Sequence, residues 1–194
     1  MKKLLSALFL LALCSSLAMA TVPDPSKCVV TPDLNGGCLI APGTLSGTTL
    51  SITVRNSSNN PIPNAAVNVV LNSAIRICTT AVHSATTNAS GQCSITLKGG
   101  GCINASTTGA CSVIANGIEI KGYTKVKSPD NASHTTSVPS GNVSVADLPF
   151  FADEFKGVQA AACHDYTNDG LVSVADLPSF GDSFKLGLTC TLVP

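Results

Sequence analysis

Mainly β with a small α appendage is the fold class the sequence predicts, and three observations predict it. Apolar and polar residues alternate through several short runs between residues 46 and 123, the pattern of half-buried strands. Residues 143–156 (VSVADLPFFADEFK) and 172–185 (VSVADLPSFGDSFK) match at 11 of 14 positions at an offset of 29, and each carries one short helical stripe. Charged residues make up only 11% and aromatic residues 4% of the chain, with no tryptophan, while Thr, Ser, Val and Asn abound, which suits strands and polar turns.

The first 20 residues, MKKLLSALFLLALCSSLAMA, carry Lys2 and Lys3, an apolar run over residues 4–14 and a small-residue end at Ala18-Met19-Ala20. This is the pattern of a secretory signal peptide, so a secreted, extracellular or cell-surface protein is expected. The run is too short for a membrane span, and no other stretch reaches the length one needs. Cys14 raises a lipid-modified alternative, but Leu13 stands where a small residue belongs before such a cysteine, which favours cleavage after Ala20.

Residues 21–128 hold the strand signals. Leu50, Ile52 and Val54 alternate with Ser51, Thr53 and Arg55, so one face of that strand is apolar. The NSSNNPIPN run that follows is a turn by composition, and Pro61 and Pro63 keep a central strand out of it. Val67, Val69 and Leu71 resume the alternation, and Cys93, Ile95 and Leu97 repeat it until Gly99-Gly100-Gly101 ends the run. Asn116-Gly117, between residues 112–115 and 118–123, marks a tight hairpin, because that pair accepts the positive φ a two-residue turn requires. Short antiparallel strands at this spacing predict a β-sandwich. Residues 21–42, with Cys28 and Cys38, read either as an edge strand or as a disulfide-closed leader.

Eight cysteines follow the leader: Cys28, Cys38, Cys78, Cys93, Cys102, Cys111, Cys163 and Cys190. An even number behind a signal peptide predicts four disulfides made in an oxidising compartment. Neighbours in sequence are the natural partners, with Cys163 and Cys190 bracketing the second repeat. Zinc is the competing use, but there is no C-x-x-C pair and no histidine at ligand spacing.

The formal net charge is zero but unevenly spread. Basic residues outnumber acids before residue 129, and from there on Lys156 and Lys185 face eight acids. No basic cluster marks a nucleic-acid footprint, so no nucleic-acid partner is expected. His83, His134 and His164 each lack a nucleophile and an orienting carboxylate at recognisable spacing, and the β portion holds only Asp24, Asp33 and Glu119. The expectation is a non-enzyme whose loop histidines are solvated.

Residues 165–176, DYTNDGLVSVAD, place Asp165, Thr167, Asp169, Ser173 and Asp176 at positions 1, 3, 5, 9 and 12 of a twelve-residue loop. Gly170 stands at position 6, where the chain turns sharply, and the Leu171 carbonyl at position 7. Calcium takes six to eight oxygens, and a loop wrapping one supplies them at this alternate spacing. The competing reading is a polar Asx-type turn without metal. The first copy aligns Thr136, Val138, Ser140, Ser144 and Asp147 to the same positions, with Gly141 at 6. Only Asp147 keeps a carboxylate there, so weak binding or none is expected unless Asp130 or Asn131 folds back to help.

A doubled calcium loop followed by a short helix resembles the type I dockerin module, over residues 129–190. The resemblance implies Ca2+ as cofactor and a cohesin-like receptor as partner. It also implies contact through loop positions 10 and 11, here Val145, Ala146, Val174 and Ala175. The stripes Leu148, Phe151, Phe155 and Leu177, Phe180, Phe184 are expected to be core rather than docking surface. Residues 61–71 (PIPNAAVNVVL) and 86–100 (TTNASGQCSITLKGG) are similar to bacterial Ig-like and carboxypeptidase-regulatory-like domains, implying an Ig-like sandwich over residues 21–128. Residues 128–140 read as a polar linker to a second module over residues 129–194. Two functions are then open. In one, the calcium-stabilised module mediates protein attachment or surface assembly with the sandwich as cargo or spacer. In the other, an adhesin binds glycan on the sandwich and calcium is purely structural.

Overall fold

A computed structural model describes residues 22–193; the expected signal peptide over residues 1–20 lies outside them. Among the described residues no helix is long and apolar enough to cross a membrane. Strands come first in the chain: β1 (Val29–Thr31), β2 (Gly37–Leu39), β3 (Thr49–Thr53), β4 (Ala66–Leu71), β5 (Arg76–Ile77) and β6 (Ser84–Thr86). They continue with β7 (Gln92–Thr96), β8 (Gly99–Gly100), β9 (Cys111–Ala115), β10 (Ile118–Tyr123) and β11 (Lys125–Lys127). Two helices close the sequence, α1 (Leu148–Phe155) and α2 (Leu177–Lys185). The fold is mainly β with a small helical portion, as alternation and composition predict.

One antiparallel sheet runs β1-β3-β7 and another runs β10-β9-β4-β6. Directly opposed residues share a face, so the Val30–Ile52 and Leu50–Ile95 pairs of the first sheet point together. They meet Val67, Val69, Val113 and Ala115 of the second sheet in one core. Asn116 (φ 47°) and Gly117 (φ 82°) form the two-residue turn between β9 and β10. Two features escape the alternation pattern. β2 and β11 pair in parallel, and β1 is an edge strand on β3; of the segment that read as edge strand or disulfide-closed leader, Val29–Thr31 and Gly37–Leu39 are strand, and Cys28 and Cys38 are not bridged.

Among the described residues two disulfides form, Cys78–Cys190 and Cys102–Cys163, with Cα separations of 5.7 and 5.5 Å. The expectation of four bridges with Cys163 joined to Cys190 is therefore corrected. Each of those two cysteines crosses to the β portion, because the C-terminal residues pack on it: Thr79 N–H donates to Thr191 carbonyl at 2.8 Å and Val193 N–H to Ile77 carbonyl at 2.8 Å. Cys28, Cys38, Cys93 and Cys111 are thiols. Cys28 precedes β1 and Cys93 lies on β7, with β3 between them; the two strand spacings alone, about 9–10 Å, put them beyond disulfide reach. Cys38 and Cys111 are buried side by side, and the Cys111 thiol together with burial pushes the Cys38 thiol well above its usual range.

A second core joins the two ends of the chain. Leu39, Ala41 and Leu45 pack with Val143, Phe151, Tyr166, Val172 and Phe180. Phe151 and Phe180 occupy equivalent places in the two repeats and stack with centroids 4.8 Å apart. Residues 128–140 are not the solvated linker that their polarity predicts: Ser128, Asp130 and Asn131 are fully buried. The glycine run at residues 99–101 has a steric reason the sequence does not reveal. A Cβ at Gly100 would strike the Asp130 carboxylate, and one at Gly101 the Ser137 hydroxyl.

Candidate functional site

The second loop closes on its own oxygens. Asn168 (φ 55°) and Gly170 (φ 98°) turn the chain, and the Asp165 carboxylate accepts the N–H groups of Asp169 at 3.1 Å and Gly170 at 2.9 Å. Asp176, buried just before α2, accepts those of Tyr166 at 2.7 Å, Thr167 at 3.0 Å and Ser173 at 2.9 Å. The Thr167 hydroxyl stands between the two carboxylates, 3.4 Å from Asp165 and 3.3 Å from Asp176. These three residues thus share one centre. Asp169 is exposed and takes the Leu171 N–H at 3.0 Å, while Ser173 Oγ takes the Ala175 N–H at 3.1 Å. Among the described residues no basic side chain lies within 4.0 Å of Asp165 or Asp176. Two buried carboxylates around one hydroxyl, without an ion pair, are a donor set that fits a hard cation.

The first loop is built differently from its alignment. Asp130 is fully buried and accepts Ser140 N–H at 2.8 Å, Ser140 Oγ–H at 3.1 Å and Gly141 N–H at 2.8 Å. Those are the bonds Asp165 makes to Asp169 and Gly170. Asp147 in turn accepts Ser144 N–H at 2.9 Å, as Asp176 does with Ser173. Position 1 is therefore Asp130 rather than Thr136, and Thr136 and Val138 lie exposed on the intervening bulge. The first loop has two carboxylates, Asp130 and Asp147. Burial, with the Asp130 charge acting in the same direction, raises the Asp147 carboxyl above its ordinary range.

Both helices start directly after these aspartates, with Pro149 and Pro178 in their first turns, where a missing N–H costs nothing. Only the middle residue of each aromatic stripe is core. Phe151 and Phe180 are buried, whereas Leu148 and Leu177 are 46% and 42% exposed and Phe155 and Phe184 are 40% and 44% exposed. This corrects the expectation that all six residues are core: two short helices stacked through one residue each cannot cover a full stripe. Val145 and Val174 are 70% and 73% exposed, and Ala146 and Ala175 beside them are exposed too. Equivalent residues in the two repeats are thus uncovered to nearly equal degrees.

A third group lies between the repeats. Glu154, on the inner face of α1, has its Oε1 at 2.8 Å from His164 Nδ1 and 3.0 Å from His134 Nδ1. Its Oε2 accepts the N–H groups of Ala162 at 2.9 Å and His164 at 3.2 Å. Burial alone would raise this carboxyl, but the bonds from His164, the Ala162 N–H and His134 outweigh it and hold the group at about 2. His164 is fully buried, which corrects the expectation of a solvated loop histidine; the Cys102–Cys163 bridge beside it carries it inside. Nearby, Lys127 is buried with its ammonium donating to the Ala162 carbonyl and, at 2.6 Å, to Asn104 Oδ1. Burial brings it down to about 8. Sequence reading named Asp130 only as a residue that could fold back to help the first loop, and it missed His134, Glu154 and His164 as site residues. One signal was present: Glu154 replaces the Ser183 of the second repeat on the buried side of a helix.

Among the described residues, His134, Glu154 and His164 are the one trio of potential metal-binding side chains whose atoms all come within 4.8 Å of one another. Asp165, Asp169 and Asp176 are not drawn to that spacing. No family model, no curated protein and no solved structure matches this chain.

Proposed function

We propose that the chain is an exported, non-enzymatic attachment protein in which a calcium-stabilised pair of dockerin-like loop–helix units docks a protein receptor of cohesin type. The β portion, which we read as Ig-like in its two larger sheets, is the cargo or spacer. One observation carries this reading: the matched exposure of Val145 and Val174, Leu148 and Leu177, and Phe155 and Phe184. Apolar residues uncovered in equivalent pairs are what a face built to be covered by another protein displays. Calcium fits the oxygen sets of the two loops, Asp130 with Asp147 and Asp165 with Thr167 and Asp176. The other candidate ligands in the second loop are Asp169, Ser173 and the Leu171 carbonyl.

A glycan site on the β portion has less support. Sugar-binding surfaces use exposed aromatic rings, and the one aromatic of that portion, Tyr123, is buried. The test is calorimetric titration of the mature chain against purified cohesin-type domains. A 1:1 complex that chelator abolishes and a Val145→Asp/Val174→Asp double variant weakens is expected. Binding that ignores both changes would sink the docking face.

A further inference from the structure

We propose that His134, Glu154 and His164 form a binding site for a divalent transition metal of the zinc class, separate from the two calcium loops. The donors differ in kind from those of the loops. Two imidazole nitrogens and one carboxylate oxygen suit zinc, cobalt or iron, whereas calcium takes oxygen alone. The spacing is close to what the metal needs. Both Nδ1 atoms lie on the same Glu154 Oε1, at 2.8 and 3.0 Å. Tetrahedral zinc with bonds of about 2.0–2.1 Å holds its ligand atoms about 3.3 Å apart, so the two edges to Glu154 open by a few tenths of an ångström, while the three ligand atoms, within 4.8 Å of one another, let the two imidazoles close on the ion by side-chain rotation.

The outer contacts are those that orient metal ligands. His164 turns its other nitrogen, Nε2, to the Asn131 carbonyl at 3.1 Å, and a ligating histidine characteristically donates its remaining N–H to such an oxygen. Glu154 Oε2 is held by two backbone N–H groups, which leaves Oε1 for the shared centre. His134 Nε2 faces the Asp153 carboxylate at 3.9 Å.

The surroundings of the buried His164 ring suit this role: in the tautomer in which Nε2 carries the hydrogen, it donates to the Asn131 carbonyl and the Nδ1 lone pair is directed at the shared centre. His134 Nδ1 lies against the same Glu154 oxygen.

The two repeats reinforce the assignment. Between residues 143–156 and 172–185 only positions 150, 152 and 154 of the first copy differ from the second. Two of those, Phe150 and Glu154, both touch His134, with ring centroids 5.1 Å apart in the first case. His134 itself lies on the bulge that the second loop lacks. Two of the three places where the copies diverge thus converge on one site. Its entrance is on the His134 side, where that side chain is 21% exposed. Three protein ligands leave a fourth position there for water or a small anion.

The test uses the mature, oxidised chain stripped with chelator, held in saturating Ca2+ and titrated with Zn2+ and with Co2+. One Zn2+ per chain is expected, along with the visible absorption of four- or five-coordinate Co2+. His134→Ala and Glu154→Gln should each weaken binding by more than the about 10–100-fold that loss of an outer contact costs. His83→Ala should leave it unchanged, and the saturating Ca2+ keeps the loops occupied throughout, which separates this site from them and from a histidine elsewhere in the chain. Absence of Zn2+ uptake, or uptake that persists undiminished in both His134→Ala and Glu154→Gln, overturns the proposal.

Discussion

Asp130 does in the first loop what Asp165 does in the second, each binding the N–H groups two paired positions supply: Ser140 and Gly141 for one, Asp169 and Gly170 for the other. The rest of the repeat is offset by 29 residues (169 less 140), but these two by 35 (165 less 130). Six inserted residues separate the first aspartate from its loop without breaking the geometry. Asp130→Ala leaves the buried Gly141 N–H and the Ser140 donors without their acceptor, and a loss of about 3 kcal/mol is expected in urea unfolding of the mature chain. Thr136→Ala should be within about 0.5 kcal/mol of the parent, since that hydroxyl is exposed and contacts only Ser133.

Calcium in excess should raise the melting temperature of the mature chain. At one hundred times its Kd a single filled site adds about 2.7 kcal/mol. Asp169→Ala removes an exposed carboxylate and so should leave the metal-free protein as stable as the parent while sharply reducing this gain. Equal gains in parent and variant, followed by differential scanning calorimetry, would remove Asp169 from the ligand set.

Native alkylation followed by mass spectrometry should label Cys28 and Cys93, which are partly exposed, and reach Cys38 and Cys111 only after unfolding. Peptides containing Cys78 and Cys190, and Cys102 and Cys163, should run linked without reductant. The Cys78–Cys190 bridge closes a loop of 112 residues, and losing it through Cys78→Ser and Cys190→Ser together should cost about 4–5 kcal/mol on the chain-entropy account.

Lys127 gives a pH dependence whose sign is fixed by its burial. Its folded value of about 8 lies below the ordinary 10.5, so the unfolded chain binds the extra proton between those two values. Stability from this group is therefore gained as pH rises from about 8 towards 10.5, by roughly 3 kcal/mol in all, and is absent below 8. The raised thiols, Cys38 among them, lower stability over the same range in both chains, so the lysine is read from urea midpoints at pH 7.5 and 9.5 as a stability difference between the parent and Lys127→Met that moves in the parent's favour at the higher pH.

The sheets were legible because their signals are local. Leu50 and Ile52, Val67 and Val69, and the Asn116-Gly117 turn each declare themselves within a few residues. The short β1, β2, β5, β6 and β11 strands carry too few residues to show a period. In the site, Asp165, Thr167 and Asp176 were readable from spacing within one loop. Asp130 was not placed at position 1 because the insertion hides it from any fixed register. His134, Glu154 and His164 come together through tertiary packing across 30 positions of chain (164 less 134), with nothing local to announce them.

The bridge from Cys78 to Cys190 also decides how this molecule bears load. If a receptor grips the apolar pairs of α1 and α2 while the chain is pulled from its N-terminal side, tension passes through the sulfur–sulfur bond before any strand between residues 78 and 190 can peel. Among the described residues, 22–77 ahead of the bridge and the few between α2 and Cys190 are then the segments left to extend.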